Sequence, residues 1–187
     1  MATRPLEADE YKQIITLLVE GFITSTGMKF HPNKQAALIL QLQASLGLRI
    51  GDVMGLQVKN FRNGKLETRE TKTGKLQYRS INPVVSETVR AYATEKGLAL
   101  DDRLFDIKVR AVQRHLALAV EHLGLENIGT HSFRKMFATA VYEMNGNNIE
   151  LLKELLNHTS IATTQRYIRV SQSAIDAASA GVNFMAT

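Results

Sequence analysis

Apolar residues recur at helical spacing over most of the chain, and one central stretch breaks the pattern. Tyr11, Ile14, Ile15, Leu18 and Phe22 share one face of a first helix. Pro5 precedes it, and the acids Glu7, Asp9 and Glu10 suit the positive end of a helix dipole. After Pro32 a second helix runs from Asn33 to about Leu46. Its Ala36–Leu40 stretch is apolar all round, which predicts a central, buried position. Gly47 reads as its C-cap, Arg49 follows in a short turn, and helical spacing begins again near Asp52.

The period then shortens. Gln57–Arg62, Lys65–Lys72 and Lys75–Ile81 read as three strands, with turns at Asn63-Gly64 and Thr73-Gly74. Such a sheet, ended by Pro83, is too small to hold a core, so it is expected to pack against helices. Ser86 is placed to cap the next helix, which ends at Gly97. Val109, Val112, Leu116, Val120 and Leu123 mark another, closed by Gly124. A third begins at Thr130 or Ser132 and runs to about Met144; the turn Asn145–Asn148 leads into Ile149–Leu156. Ser160 is expected to cap a short helix carrying Tyr167, and Ile175, Ala178, Val182 and Met185 keep helical spacing at the end. The expected class is mainly α (α+β): a helical domain with a small three-stranded antiparallel sheet.

Composition narrows this picture modestly. A chain of 187 residues suits one domain with its own core. The excess of 23 Lys+Arg over 18 Asp+Glu, a net charge of +5, suits a polyanionic partner without singling one out. The absence of cysteine excludes disulfides, thiolate metal sites and thiol nucleophiles. No apolar run approaches the roughly 18 residues of a membrane span, and the N-terminus has no apolar signal segment. The expected setting is therefore cytoplasmic, with no membrane partner.

Several polar residues stand out by position. Arg49 follows the apolar helix. His131 and Arg134 form His-x-x-Arg at a helix start, one turn apart and pointing the same way. His158 follows a helix, and Tyr167 comes nine residues later. Lys72 and Lys75 lie in Thr-Lys-Thr-Gly-Lys at the hairpin tip. Each is ordinary alone: an Arg near a helix end is usually paired, and a Tyr is usually packing. Their order and spacing are informative together.

The segment LGLRIGDVMGL resembles the first conserved box of the tyrosine recombinases, the phage-integrase family. THSFRKMFAT resembles that family's His-x-x-Arg box, and LLNHTSIATTQRYIRV its closing box. ETKTGKLQYR is similar to the hairpin that carries its lysine, and RPLEADEYKQII to the start of its catalytic domain. Two departures are mild: Asn157 stands where Gly commonly precedes the His, and Lys135 where many members have His. The resemblance implies the integrase fold of DNA breaking-rejoining enzymes. It implies a single catalytic domain over residues 1–187, without the core-binding domain most members carry before it.

The resemblance also implies roles. Tyr167 would attack the scissile phosphorus and form a 3′-phosphotyrosine, keeping the bond energy for religation. Arg49 and Arg134 would fork onto nonbridging oxygens and neutralise transition-state charge. His131 would accept a proton, and His158 would donate a hydrogen bond to the phosphate. Lys72 would protonate the leaving 5′-oxygen, with Lys75 in its place if the hairpin register differs. Asp52 orients Arg49 or caps the nearby helix, and Arg166 touches DNA backbone or is simply exposed. Two permanent guanidinium charges would take a divalent metal's part, so neither metal nor cofactor is expected. The expected partner is double-stranded DNA carrying recombination sites, bound by a monomer that becomes a tetramer on synapsed DNA. Residues 171–187 would dock on a neighbouring subunit or fold back in cis. Type IB topoisomerase-like relaxation and a non-cleaving DNA-binding regulator are the alternatives.

Overall fold

Acids do open the first helix. In the computed structural model, which describes residues 3–24, 27–168, 176, 179 and 180, α1 (Ala8–Glu20) starts with the Glu7 N–H donating to the Glu10 carboxylate at 2.9 Å. Phe22, expected on the face of this helix, instead begins a strand. Gly21 ends the helix at φ 78°, and a Cβ there would lie 2.4 Å from the Phe30 carbonyl oxygen. The chain therefore turns into an unforeseen hairpin of β1 (Phe22–Ile23) and β2 (Lys29–Phe30), whose Phe22 and Phe30 rings stack at 5.0 Å.

Helix α2 (Lys34–Leu46) begins where the Asn33 side chain accepts from the Ala36 N–H at 2.9 Å. There follow α3 (Ile50–Met54), a 3-10 turn at Val58–Asn60, β3 (Phe61–Arg62), β4 (Lys65–Arg69) and β5 (Leu76–Ser80). The rest is helical: α4 (Pro83–Lys96), α5 (Val109–His122), α6 (Thr130–Met144), α7 (Ile149–Leu155) and α8 (Ile161–Gln165). Helix α2 packs against α1, α3, α5 and α6, so its all-round apolar surface is used on every side. Ala36, Ile39 and Leu40 are completely buried. A second, smaller cluster of Ala138, Leu152 and Leu156 lies apart from this core, with Tyr167 and Ile168 packed against it.

The sheet has the expected antiparallel order β3-β4-β5, with Lys65 opposite Ser80 and Arg69 opposite Leu76. Several boundaries move, and the strand expected over Lys65–Lys72 ends at Arg69, so that Lys72 lies in the turn. Gln57–Asn60 is not strand, because the Asn60 side chain accepts the Gln57 N–H at 2.7 Å and curls the segment into a 3-10 turn. Helix α4 starts at Pro83, not after Ser86: Asn82 caps it by accepting from the Val84 N–H at 2.9 Å. Proline is favoured at that first position because its missing N–H would find no helical partner. Tyr167 lies two residues beyond α8, in the following turn, although Ser160 does cap the helix, accepting from the Thr163 N–H. The apolar series Ile175, Ala178, Val182 and Met185 lies outside the described residues. No helix among the described residues is long and apolar enough to cross a membrane.

Candidate active site

Arg134 is the largest fully buried side chain, at 0% exposure. A buried guanidinium is costly unless its donors are met, and Arg134 meets them at both Nη atoms while its Nε is buried without a partner. Here Nη1 donates to the Gly47 carbonyl at 2.6 Å, and Nη2 to the Leu156 carbonyl at 3.0 Å. These carbonyls stand at the C-terminal ends of α2 and α7, where helix dipoles place partial negative charge. Gly47 itself is dictated by space. It sits in the left-handed region, and a Cβ would meet the Phe137 ring at 2.2 Å. Burial first, and then the Arg49 charge, lowers the Arg134 pKa, while Tyr167 and Glu70 oppose the shift.

His158 is 5% exposed and meets Arg134 from the other side, Nε2 to Nη2 at 3.2 Å. Arginine only donates, so Nε2 must accept. The ring proton therefore sits on Nδ1, which donates to Thr164 Oγ1 at 3.1 Å. Thr164 in turn donates to the Ser160 carbonyl at 3.4 Å. Toward Arg134, His158 is therefore an acceptor. Burial, followed by the charges of Arg134 and Arg49, pushes its pKa down to about 4. The preceding Asn157 has φ 53°, a left-handed position that glycine or asparagine tolerates. That accounts for Asn where Gly is common.

Tyr167 closes this side. Its ring lies 4.8 Å from the His158 ring, and the Arg134 guanidinium carbon 5.7 Å from its centroid. The Tyr167 N–H donates to the Thr164 carbonyl at 2.9 Å, and Thr139 Oγ1 to the Tyr167 carbonyl at 3.5 Å. Arg166, beside it, is exposed.

Arg49 stands at the N-cap position of α3, without a side-chain capping bond, and is half-buried. Asp52, its expected partner, stands 4.0 Å away and instead accepts the Thr71 N–H at 2.8 Å, tying the hairpin tip to α3. The partner of Arg49 is a residue that the sequence reading missed. Glu70 is 1% exposed, and its Oε2 accepts from Arg49 Nη1 at 2.6 Å. Burial alone would raise the Glu70 pKa, but donation from Thr73 and Arg49, the Arg49 charge and Gln77 together hold it below the usual range. Strand parity was the available signal. Buried Leu66 and half-buried Thr68 share one face of β4, and Glu70 continues that face, next to buried Gln77 on β5.

Lys72 and Lys75 are both exposed on the tip between β4 and β5. Lys75 Nζ donates to the Asn157 carbonyl at 3.4 Å. Among the described residues no hydrogen bond or ion pair holds the Lys72 ammonium. His131 presents an exposed ring, yet its inner side is crowded. That loss of solvent, then the charges of Arg134, Lys135, Arg49 and Lys72, lowers its pKa, which favours a neutral ring. The structure thus gathers Arg49, Lys72, His131, Arg134, His158 and Tyr167 into one neighbourhood of positive charge beside a phenol. Among the described residues no group of three His, Cys, Asp or Glu side chains could hold a metal ion.

This architecture is shared with solved structures. The XerA recombinase matches with a TM-score of 0.72 at 19% identity, covering 98% of this chain and 66% of that one. The catalytic domain of bacteriophage HP1 integrase matches with a TM-score of 0.67 at 21% identity, covering 96% and 95%. The fold is therefore that of tyrosine recombinase catalytic domains. The profile of the phage integrase family matches residues 4–174, and the chain belongs to that family. A probable integrase/recombinase, YoeC of Bacillus subtilis (strain 168), is 32% identical over 154 residues, 78% of this chain and 83% of its own length. The tyrosine recombinase XerC of Methylobacterium sp. (strain 4-46) is 35% identical over 146 residues, 72% of this chain and 45% of its own. The chain spans about half the length of most such curated relatives.

Proposed function

We propose that this domain cuts and rejoins double-stranded DNA at specific sites, with Tyr167 as the nucleophile. The observation that carries the reading is the phenol seated beside buried Arg134 and His158, with Arg49 close enough to act on both. A phosphodiester placed there meets two permanent positive charges, which offset the charge that builds on its nonbridging oxygens. Tyr167 Oη forms a bond to phosphorus as the P–O5′ bond breaks, leaving a 3′-phosphotyrosine. The phenol proton passes to His131, kept neutral by its surroundings, and Lys72 gives a proton to the departing 5′-oxygen. Attack by another strand's 5′-hydroxyl reverses each transfer and frees Tyr167. His158 holds Arg134 in place, and Arg166 is free to meet the DNA backbone. No step calls for a metal or a high-energy cofactor.

We read the assembly as a monomer alone and a tetramer on paired sites. Bare DNA binding by so small a domain should be weak and steeply salt-dependent. The test uses nicked suicide duplexes tiled across the DNA that flanks the gene, in EDTA. A covalent protein–DNA adduct is expected, absent in Tyr167→Phe. An adduct from Tyr167→Phe, or a requirement for divalent metal, defeats the proposal. Recombinant joints from two duplexes separate strand exchange from simple relaxation, and cleavage itself separates both from a passive regulator.

A further inference from the structure

We propose that Glu70 is a positioning residue that aims Arg49 at the scissile phosphate. This rests on the reading of Arg49 as a phosphate-neutralising charge. A buried carboxylate is expensive unless saturated, and Glu70 is saturated. Oε2 takes Arg49 Nη1 at 2.6 Å and Thr73 Oγ1 at 2.7 Å, while Oε1 takes Gln77 Nε2 at 3.3 Å. Arg49 has five N–H donors, and Glu70 engages it at Nη1. Asp52 Oδ2, at 4.0 Å, is too far to bond. The guanidinium is thus held at one prong, on a side chain still 21% exposed, and its remaining donors are available to an anion.

The same residue, through its carboxylate and its backbone carbonyl, organises the loop that carries Lys72. Thr73, which donates to the carboxylate, also accepts the Lys75 N–H at 3.3 Å, and the Gly74 N–H donates to the Glu70 carbonyl at 2.8 Å. Glu70 touches no reacting atom in this scheme. It acts by removing the rotamer freedom that a long arginine would otherwise lose on meeting DNA.

The test compares single-turnover cleavage of a suicide duplex with that of its methylphosphonate analogue, whose scissile group is neutral. On the ordinary phosphodiester, Glu70→Gln should cleave about 10- to 100-fold more slowly, with DNA affinity nearly unchanged. On the methylphosphonate the deficit should nearly vanish, because the transition state then carries one negative charge fewer and Arg134 can offset what remains. Thr73→Val, which removes one bond to the carboxylate, should show the same pattern more weakly, and it carries the test if Glu70→Gln does not fold. An equal loss on both substrates makes Glu70 a stability residue and overturns the proposal. No loss, or faster phosphodiester cleavage, also overturns it, the latter by showing that the carboxylate competes with phosphate. Arg49→Ala is run in parallel. If its loss is equal on both substrates, the reading of Arg49 itself fails, whatever the Glu70 variants do.

Discussion

Two halves of the site are built in opposite ways. Arg134 and His158 lie inside the protein, at 0% and 5% exposure, and their bonds go to the ends of α2 and α7 and to Thr164. Residues 71–75, including both lysines, are exposed on a hairpin tip. The first half is hydrogen-bonded into the fold, so its chemistry and the protein's stability share the same atoms. The second half is anchored at its base, by Glu70 at Thr73 and by Asp52 at Thr71, and touches the first half through the Lys75 contact with the Asn157 carbonyl. The division suits the proposed tasks. Charge neutralisation gains strength where water is excluded. Proton delivery needs one group that can approach a leaving oxygen and withdraw.

The sharpest way to break this comparison is to remove Arg134. Arg134→Ala leaves the Gly47 and Leu156 carbonyls without their donor and should cost about 3–5 kcal/mol in urea unfolding. Cleavage by the folded fraction should fall about 10³-fold. Arg134→Lys keeps the charge but loses the fork, and should recover part of the stability and little of the rate. If Arg134→Ala is as stable as the parent protein, the two halves are not built differently after all.

Acid should strike the buried half next. The His158 pKa is about 4 in the folded chain, against 6.5 for an unperturbed histidine. Between those values the unfolded chain binds a proton that the folded chain refuses. Stability is thus full above about pH 6.5 and falls as pH drops toward 4, by about 3 kcal/mol at most. His131, also lowered, contributes in the same direction, and Glu70 loses its stabilising charge only below the ordinary glutamate range. Urea unfolding at pH 7 and pH 4.5 should therefore show a smaller acid loss in His158→Gln than in the parent. Equal losses would remove His158 from the account.

At the exposed tip the expectations invert. Lys72→Ala should slow cleavage about 10²-fold while changing stability by no more than about 0.5 kcal/mol. A 5′-bridging sulfur leaves without a proton, so on that substrate the defect should largely disappear. Lys75→Ala should be only mildly impaired, with no relief from sulfur. The opposite pattern would exchange the roles of the two lysines, which share the tip.

Much of this was legible in the chain itself. The run Ala36–Leu40 announced a central helix because nothing else in the sequence could bury it on all sides. Gly47, Arg49 and the His-x-x-Arg pair stood at helix ends, where position constrains residue type. What stayed hidden depends on contacts across the fold. Tyr167 read as helical because no glycine or proline marks the end of α8 at Gln165. Phe22 read as helical because its stacking partner Phe30 is not on the helix. Glu70 read as one acid in a polar strand, although parity pointed it inward toward an arginine 21 residues away. The acceptor state of His158 could not be read from its spacing, because Arg134 imposes it.

The smallest effect belongs to the seam between the halves. Asn157 holds a left-handed backbone at φ 53° directly before His158, and its carbonyl accepts from Lys75 at the hairpin tip. Its side-chain Nδ2 is buried without a partner. Asn157→Gly removes that unpaired amide and the left-handed strain but gives the unfolded chain more freedom. The opposing terms should leave stability within about 0.5 kcal/mol. Asn157→Ala keeps a Cβ without the local polarity that eases this conformation, and should lose about 1 kcal/mol. Both keep the carbonyl, so the Lys75 contact should survive and cleavage should change little for either. A large loss of cleavage in Asn157→Gly, with stability intact, would show that this turn aims His158 and Arg134, and that the buried half is less self-sufficient than its hydrogen bonds suggest.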